Sequence, residues 1–158
     1  MYVNYQFIKL WLQADDLGIT EISFVTEPQT SVPVTKEAQK HLELAKDELL
    51  RYFEGKLHHF TVPIHFTKGT PFQQRVWNSL LSIPYGEIKS YQEIAVLSES
   101  PKAQQAVGQA NRNNPIPIIV PCHRVIGKSG KLVGYSGSTT DGLITKKFLL
   151  DLEQKNSQ

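Results

Sequence analysis

The sequence holds a single cysteine among its 158 residues, so no disulfide can form within the chain. One free thiol is typical of proteins from reducing intracellular compartments, where disulfides are rare. No stretch approaches the roughly 18 apolar residues of a membrane-spanning helix, and no signal-peptide pattern is present. We therefore expect an intracellular protein that is neither secreted nor inserted into a membrane.

Clusters of metal-binding residues are scarce. Three of the five histidines, His58, His59 and His65, fall in one short segment, but no cysteine or carboxylate cluster completes a ligand set. We interpret these histidines as exposed polar positions of an edge strand. The sequence accordingly predicts no metal site, and nothing in it indicates another cofactor.

The net charge of +2 is small, but it is unevenly distributed. Residues 1–67 carry six Lys or Arg against nine Asp or Glu, a net charge of −3. Residues 68–158 carry eleven against six, a net charge of +5. Basic charge gathered in one half suits a polyanionic partner such as nucleic acid. Many domains with this charge bind no nucleic acid, so the charge alone does not identify such a partner.

The first half shows strand patterns around one helix. Alternating apolar residues predict a β-hairpin over residues 6–13 and 19–25. Residues 35–53 show helical spacing of apolar side chains, and residues 58–66 alternate again, as a third strand on the same sheet would. Residues 1–67 are therefore predicted to form an N-terminal α/β support domain.

The second half begins with helix signals. Thr70 and Pro71 supply an N-cap and a first-turn proline for a helix that reaches about residue 83. A capping box over residues 90–93 opens a short helix, and a second short helix follows over about residues 102–112. Two short helices joined by a tight turn predict a helix-turn-helix.

Together these patterns predict an α+β fold in two domains. The N-terminal domain is an antiparallel β-sheet with a helix. Residues 68–158 are predicted to form a mostly helical, winged-helix-like C-terminal domain that ends in a helix over residues 143–154.

The second short helix has two distinct edges. Its small apolar residues recur at helical spacing, which fits a core-facing stripe: Ala103, Ala106, Val107 and Ala110. The opposite edge carries hydrogen-bond donors suited to phosphates and base edges: Lys102, Gln105, Gln109, Asn111 and Arg112. We interpret this edge as a nucleic-acid-binding surface.

The cysteine, Cys122, follows a proline-stiffened apolar run and precedes His123 and Arg124. A thiol is nucleophilic as the thiolate, which basic or cationic neighbours favour. The alternative is an unreactive cysteine buried in the core. In an extended chain the side chains of Cys122 and His123 point to opposite faces, so we expect a water to link them.

Pro-Cys-His-Arg-Val, with Asn-Pro-Ile-Pro upstream and Gly-Tyr-Ser-Gly at residues 134–137, resembles the active site of the methylated-DNA–protein-cysteine methyltransferases. The resemblance extends from residue 69 to Glu153, whereas the first half matches only in general character. It implies a single-turnover enzyme in which Cys122 attacks the alkyl carbon of 6-O-alkylguanine, guanine leaves, and the alkyl group stays on the sulfur as a thioether.

The resemblance also implies the partner and the setting. The partner would be double-stranded DNA that contains alkylated guanine, which the protein reaches by base flipping; whether alkylated thymine is also a substrate stays open. We expect a monomer without a cofactor, located in the cytoplasm at the nucleoid or, in a eukaryote, in the nucleus.

Several residue roles follow from the same resemblance. His123 would be the general base and Glu153 the group that orients it. Asn114 would tie the recognition helix to the active-site turn. Tyr91 would crowd the phosphate of the target nucleotide and promote its rotation. Arg124 would brace the turn or contact a phosphate.

The resemblance places three further residues around the extruded guanine. Val125 would offer its backbone carbonyl to the exocyclic amine. The Tyr135 hydroxyl and the Ser136 backbone N–H would donate to the ring nitrogen and to the departing oxygen, which makes guanine a better leaving group.

The sequence departs from the family at two places. Gln105 stands where the family has an arginine finger on a helix that enters the minor groove, and glutamine lacks the fixed charge and five-donor fork of arginine. We expect base extrusion to be weaker here or to rely more on Lys102 and Arg112. Residues 138–141 extend a loop, which either widens the pocket or is a neutral insertion.

Other classes of protein explain less of the sequence. A non-catalytic module that recognises alkylated bases is the main alternative, but relatives of that kind lack the cysteine. A winged-helix transcription regulator would have no use for the Pro-Cys-His-Arg segment. A cysteine hydrolase would carry signatures that are missing from this sequence.

Overall fold

The computed structural model describes residues 1–127 and 140–157, except for the side chains of residues 140 and 141. The chain divides into two compact units, Met1–Thr67 and Lys68–Gln158. Among the helices of the described ranges, none combines the length and the hydropathy needed to cross a bilayer.

The first unit contains a three-stranded antiparallel sheet in the order β1 (Tyr2–Tyr5), β2 (Ile8–Asp15) and β3 (Gly18–Phe24). The predicted hairpin is confirmed as β2 and β3. Gly18 follows its turn. Only glycine fits at this position, because a Cβ would lie 2.4 Å from the Pro63 carbonyl oxygen. The sequence analysis missed β1, which is only four residues long.

The helix of this unit, α1 (Lys36–Phe53), agrees with its prediction. The Thr35 hydroxyl caps it by accepting a hydrogen bond from the backbone N–H of Ala38. Leu42, Ala45 and Leu49 are buried at helical spacing, and α1 packs on β2 and β3. The apolar stripe of the helix and the apolar face of the sheet thus form the core of this unit.

The predicted third strand over residues 58–66 is wrong. Only Ile64 makes a β-bridge, to Ile19. The backbone N–H groups of Thr61 and Val62 instead donate to the Glu48 carboxylate of α1 at 3.0 and 2.9 Å. Glu48 is only 1% exposed, so this buried carboxylate takes the place that a neighbouring strand would have.

Because residues 58–66 do not form a strand, the interpretation of His58, His59 and His65 as edge-strand positions is wrong as well. His65 instead lies with Nδ1 2.6 Å from Asp15 Oδ2. Within the described part of the chain, no three histidine, cysteine or acidic side chains gather in a way that would hold a metal ion.

The second unit contains α2 (Pro71–Leu80), β4 (Lys89–Ser90), α3 (Tyr91–Leu97) and α4 (Gln104–Arg112). A 3₁₀ turn (Cys122–Arg124), β5 (Val125–Ile126) and α5 (Thr140–Asn156) follow. Both predicted N-terminal caps, at Thr70 and Ser90, are confirmed as capping boxes. The parallel pairing of β4 with β5 was not predicted. The α+β class is confirmed.

Helices α3 and α4 pack against each other as the predicted helix-turn-helix. Helix α4 begins at Gln104, so Lys102 precedes the helix instead of opening it. The indole N–H of Trp77 donates to the Ala110 carbonyl at 2.8 Å and fixes α4 against α2. This contact holds α4 on a buried aromatic side chain.

The two edges predicted for α4 need one correction each. Ala106 is exposed, although it was placed on the core-facing stripe. Asn111 is only 2% exposed, although it was placed among the surface donors. The helix is rotated so that Val107, Ala110 and Asn111 form its buried face.

The last helix is longer than predicted. It starts at Thr140, so residues 140 and 141 of the predicted loop extension belong to its first turn. Residues 138 and 139 lie outside the described residues, as do Tyr135 and Ser136.

Candidate active site

The segment that precedes the cysteine is tightly constrained. Ile118 is buried and has a φ of 76°, a left-handed conformation that is rare for a β-branched residue. Three residues later Pro121 opens the 3₁₀ turn, in which the N–H of Arg124 donates to the Pro121 carbonyl at 3.0 Å. Such strain persists only where surrounding packing imposes it, and it clusters at functional sites.

The turn overturns the expectation that Cys122 and His123 lie in an extended chain. They lie in a 3₁₀ turn with Arg124, and all three residues are buried, with exposed fractions of 3%, 0% and 7%. The opposite-face geometry of an extended strand therefore does not apply to Cys122 and His123.

The Glu153 carboxylate organises the buried side of this turn. One oxygen, Oε2, lies 2.6 Å from His123 Nε2 and accepts from Arg124 Nη2 at 3.0 Å. The other, Oε1, accepts from Arg124 Nε at 2.8 Å and from the Gly86 N–H at 3.2 Å. Glu153 is 1% exposed, so these contacts are shielded from water.

These contacts fix the charge of the carboxylate. Burial alone would raise the pKa of Glu153, but the hydrogen bond from His123 and the Arg124 guanidinium outweigh burial. The pKa of Glu153 is therefore held far below its usual range, as expected for a carboxylate with several N–H donors. Glu153 is an anion throughout the neutral range.

His123 remains neutral beside this anion. Burial lowers the pKa of His123, and the hydrogen bond that His123 donates to Glu153 only partly opposes that effect. Because the ionised carboxylate accepts from Nε2, the proton of the neutral imidazole lies on Nε2. The Nδ1 nitrogen then carries the lone pair and can act as a base.

Arg124 is oriented inward. Its guanidinium pairs with both oxygens of Glu153, and Nη1 donates to the Ile83 carbonyl at 2.7 Å. The cation also lies over the ring of Tyr85, 5.7 Å from the centroid. The donors of Arg124 thus face acceptors within the protein.

The sulfur of Cys122 is a thiol at rest. Burial raises the pKa of Cys122 to about 11, against a hydrogen bond from Asn114 and the charge of Lys146, which lower it. From their places in the sequence, His123 and Arg124 were expected to favour the thiolate. Arg124 is turned to Glu153 instead, and Lys146 supplies the nearby positive charge.

Two asparagines connect the end of α4 to the turn that holds Cys122. Asn114 donates to the Val120 carbonyl at 2.9 Å and accepts from the Ile116 N–H at 3.0 Å. Asn111 donates to the carbonyl of Cys122 itself at 3.2 Å. The structure therefore brings Asn114 to the turn, as expected, and adds Asn111.

Lys146 was missed by the sequence analysis. It has no exposed surface, and its ammonium donates to the Val125 carbonyl at 2.5 Å. Burial lowers the pKa of Lys146 to about 8, against the charge of Cys122. The available signal was its position seven residues before Glu153, which places both side chains on one face of a helix.

Four of the residues predicted to contact DNA share one exposed surface, whereas Asn111 and Arg124 are buried. Gln105, Gln109 and Arg112 are exposed at i, i+4 and i+7 of α4, and Lys102 is exposed before the helix. Gly108 lies among them, and a Cβ added there would meet nothing within 4 Å. Glycine weakens a helix. The packing of the described protein does not require glycine at this position, because a larger side chain would fit there.

Tyr91 connects this surface to the active site. It is half-buried at the first position of α3. Burial raises the pKa of its hydroxyl, with an opposing effect of Arg112 and a smaller contribution from Cys122. Tyr91 therefore lies within electrostatic reach of both the exposed cation and the nucleophile.

Comparison with known proteins gives concordant matches for both units. Residues 71–155 match the DNA binding domain of 6-O-methylguanine DNA methyltransferase, and residues 2–66 match the ribonuclease-like domain of the same family. The constitutive methylated-DNA–protein-cysteine methyltransferase of Bacillus subtilis is 54% identical over 138 residues, which cover 87% of this chain and 81% of that protein.

Two further relatives align along almost the full chain. The methylated-DNA–protein-cysteine methyltransferase of Methanosarcina barkeri is 44% identical over 147 residues, 92% of this chain and 90% of that protein. The crystal structure of Mycobacterium tuberculosis OGT in complex with DNA superposes with a TM-score of 0.84 and 43% identity. That superposition covers 98% of this chain and 92% of the other.

Replacing Glu153 by Gln tests the buried carboxylate. Removing one partner from a buried ion pair costs about 3–5 kcal/mol, so we expect a loss of that order in urea unfolding at pH 7. Because the folded pKa of Glu153 is depressed, its stabilisation is present above the ordinary carboxyl pKa and is lost as pH falls below about 4.3. The difference between wild type and variant should therefore shrink toward pH 3.

The matched control is Asp151→Asn, which removes an exposed carboxylate of the same helix that pairs with Lys147. We expect this variant to unfold nearly as the wild type does. A Glu153→Gln deficit that stays constant from pH 7 to pH 3 would contradict the ionised, strongly paired carboxylate.

Proposed function

The chain belongs to the family of methylated-DNA–protein-cysteine methyltransferases, and on that premise we propose that it repairs DNA by moving the alkyl group from O6 of guanine to Cys122. The observation that carries this proposal is the buried turn in which Cys122 adjoins a neutral His123 held by Glu153. The product is a thioether, which is stable, so each molecule reacts once.

His123 and Glu153 generate the nucleophile in the proposed reaction. His123 Nδ1 takes the proton of the Cys122 thiol, directly or through a water, and Glu153 stabilises the imidazolium that forms. The sulfur then attacks the alkyl carbon in line, the carbon–O6 bond breaks, and its electron pair stays on guanine. Guanine takes up one proton as His123 returns its own, so charge and protons balance.

In the proposed reaction, burial keeps the Cys122 thiol unreactive until the substrate is in place. The thiol of Cys122 stays protonated at rest because burial raises its pKa to about 11. A protonated thiol resists oxidation and adventitious alkylation, since the thiolate is the reactive form. We propose that reaction awaits an alkyl group placed in line with the sulfur, which base flipping provides.

The exposed surface of α4 is the proposed DNA contact. Gln105, Gln109 and Arg112 would reach phosphates and base edges, together with Lys102. A larger side chain at residue 108 would meet no protein group, so the protein itself does not require glycine there. The missing side chain instead supports a close approach of the DNA backbone or groove. Tyr91 would press on the phosphate of the target nucleotide.

The remaining site residues keep the roles expected from the family. Val125, Tyr135 and Ser136 would bind the extruded guanine, and Asn114 would couple α4 to the nucleophile. Of the two roles expected for Arg124, we propose bracing, because its guanidinium is occupied by Glu153 and by the Ile83 carbonyl.

We propose that the two units divide the work. Residues 68–158 would bind DNA and transfer the alkyl group, and residues 1–67 would support them. We further propose that the protein acts as a monomer in the cytoplasm, on DNA of the nucleoid.

Cys122→Ser tests the nucleophile. We expect wild-type protein to gain one methyl group in its intact mass after incubation with a duplex oligonucleotide that contains O6-methylguanine. The serine variant should gain none, yet bind the same DNA with nearly unchanged affinity, because phosphate contacts dominate binding. Tight binding by wild type without a mass gain would indicate a damage sensor instead, and repair by the variant would overturn the assignment of Cys122.

Gln105→Arg tests the finger position. If residue 105 fills the base stack, arginine should raise the rate on duplex DNA several-fold and change the single-strand rate little, because a single strand has no stack to fill. The readout is the ratio of the two rates, in which a general gain of affinity cancels. Gln109→Arg is the matched control, since it adds the same charge one turn further along α4.

An equal change of this ratio in Gln105→Arg and Gln109→Arg would show that charge alone acts. An unchanged ratio in Gln105→Arg would show that Gln105 is an ordinary surface residue.

A further inference from the structure

Helix α3 is followed by a left-handed residue that is not glycine. Glu99, the second residue after the helix, has a φ of 62°. Its N–H donates to the Val96 carbonyl at 3.0 Å. The N–H of Ser100 donates to the Ala95 carbonyl at 2.9 Å. These two bonds form the Schellman motif, in which glycine is the common residue at the position that Glu99 occupies.

Helix α1 ends with the same motif and carries the expected residue. Gly55 has a φ of 78°, and its N–H donates to the Tyr52 carbonyl at 3.0 Å. The N–H of Lys56 donates to the Arg51 carbonyl at 2.9 Å. The left-handed conformation brings a Cβ close to the following carbonyl oxygen. Glutamate at the end of α3 is therefore less stable than glycine would be.

Packing of its side chain does not offset this strain at Glu99. Glu99 is exposed, so its side chain buries little apolar surface. The property that glutamate adds at this position is a negative charge in solvent. Because backbone strain of this kind concentrates at functional sites, the surroundings of this charge indicate what it does.

The charge of Glu99 lies beside the proposed DNA contact. Glu99 is in the turn of the helix-turn-helix, three residues before Lys102 and six before Gln105, both of which are exposed. The N-terminal part of the second helix of such a motif enters a DNA groove while the first helix crosses the backbone. The turn between them therefore lies near phosphates, which repel a carboxylate.

We propose that Glu99 is a specificity-determining residue of the DNA contact, whose carboxylate lowers the affinity for every duplex, undamaged DNA included. This inference rests on the proposed function for the identity of the partner. Lys102 and Arg112 attract phosphates at any sequence, whereas contacts to an extruded base form only at a damaged site. By opposing the general attraction, Glu99 leaves a larger share of the protein free to reach damaged sites.

The test compares wild type with Glu99→Gln and Glu99→Gly. Glutamine removes the charge and keeps the length of the side chain, whereas glycine removes both the charge and the strain. Asp151→Asn is the matched control, because it removes an exposed carboxylate from α5 and changes the net charge equally. Fluorescence anisotropy measures binding to an undamaged duplex oligonucleotide from about 0.05 to about 0.5 M NaCl. Thermal unfolding measures stability.

We expect both Glu99 variants to bind the duplex about threefold more tightly than wild type at low salt, because one charge that repels phosphates is removed. The gain should shrink toward zero at high salt, where such charges are screened. Asp151→Asn should bind nearly as wild type does. Only Glu99→Gly should unfold at a higher temperature, by roughly 2–8 °C, because only glycine relieves the strain.

Equal affinities of Glu99→Gln and wild type at low salt would overturn the inference. A gain of the same size in Asp151→Asn would overturn it too, since net charge alone would then explain the effect. A gain in Glu99→Gly without one in Glu99→Gln would assign the effect to the backbone of the turn and contradict the role of the carboxylate. These three results leave the proposed function standing, whereas a wild type that binds no duplex at low salt would reject both.

Discussion

The buried carboxylate of Glu153 is the contact on which the rest of the site depends. It joins the last helix to the 3₁₀ turn through His123 and Arg124, and it reaches the loop before β4 through the N–H of Gly86. A single anion thereby sets the tautomer of His123, neutralises Arg124 and fixes the position of the turn. Without it, a buried guanidinium and a freely oriented imidazole would remain.

Burial has opposite effects on the groups of this site. It keeps Cys122 protonated and His123 neutral, while hydrogen bonds and the Arg124 charge keep Glu153 ionised. The resting site therefore holds a thiol beside a neutral imidazole instead of a preformed thiolate. Such an arrangement suits a protein that reacts once, because an unproductive reaction of Cys122 would consume the molecule.

The features predictable from the sequence are those that local interactions determine. The capping boxes at Thr70 and Ser90 follow from residues three apart, and the hairpin follows from alternation around a turn. Cys122 and His123 were named from the Pro-Cys-His-Arg motif, and Glu153 from the family resemblance. The sequence therefore predicted the α+β class, and it named the residues that the structure joins through Glu153 at the turn.

The features that were missed depend on tertiary contacts. Residues 58–66 alternate like a strand, but the buried carboxylate of Glu48 takes their backbone donors. Asn111 and Lys146 look like surface residues by type, and only packing against the turn reveals their burial. The pairing of Arg124 with Glu153 joins residues 29 positions apart, which no local pattern predicts.

The tautomer of His123 tests the account most directly. Long-range ¹H–¹⁵N NMR spectra of the histidine rings, assigned by comparison with a His123→Asn variant, report which nitrogen carries the proton. We predict a protonated Nε2 and an unprotonated Nδ1 from pH 6 to pH 8, because Glu153 accepts from Nε2 and burial keeps the ring neutral. A doubly protonated ring at neutral pH, or a proton on Nδ1 alone, would contradict the assignment of His123 as the base that takes the Cys122 proton.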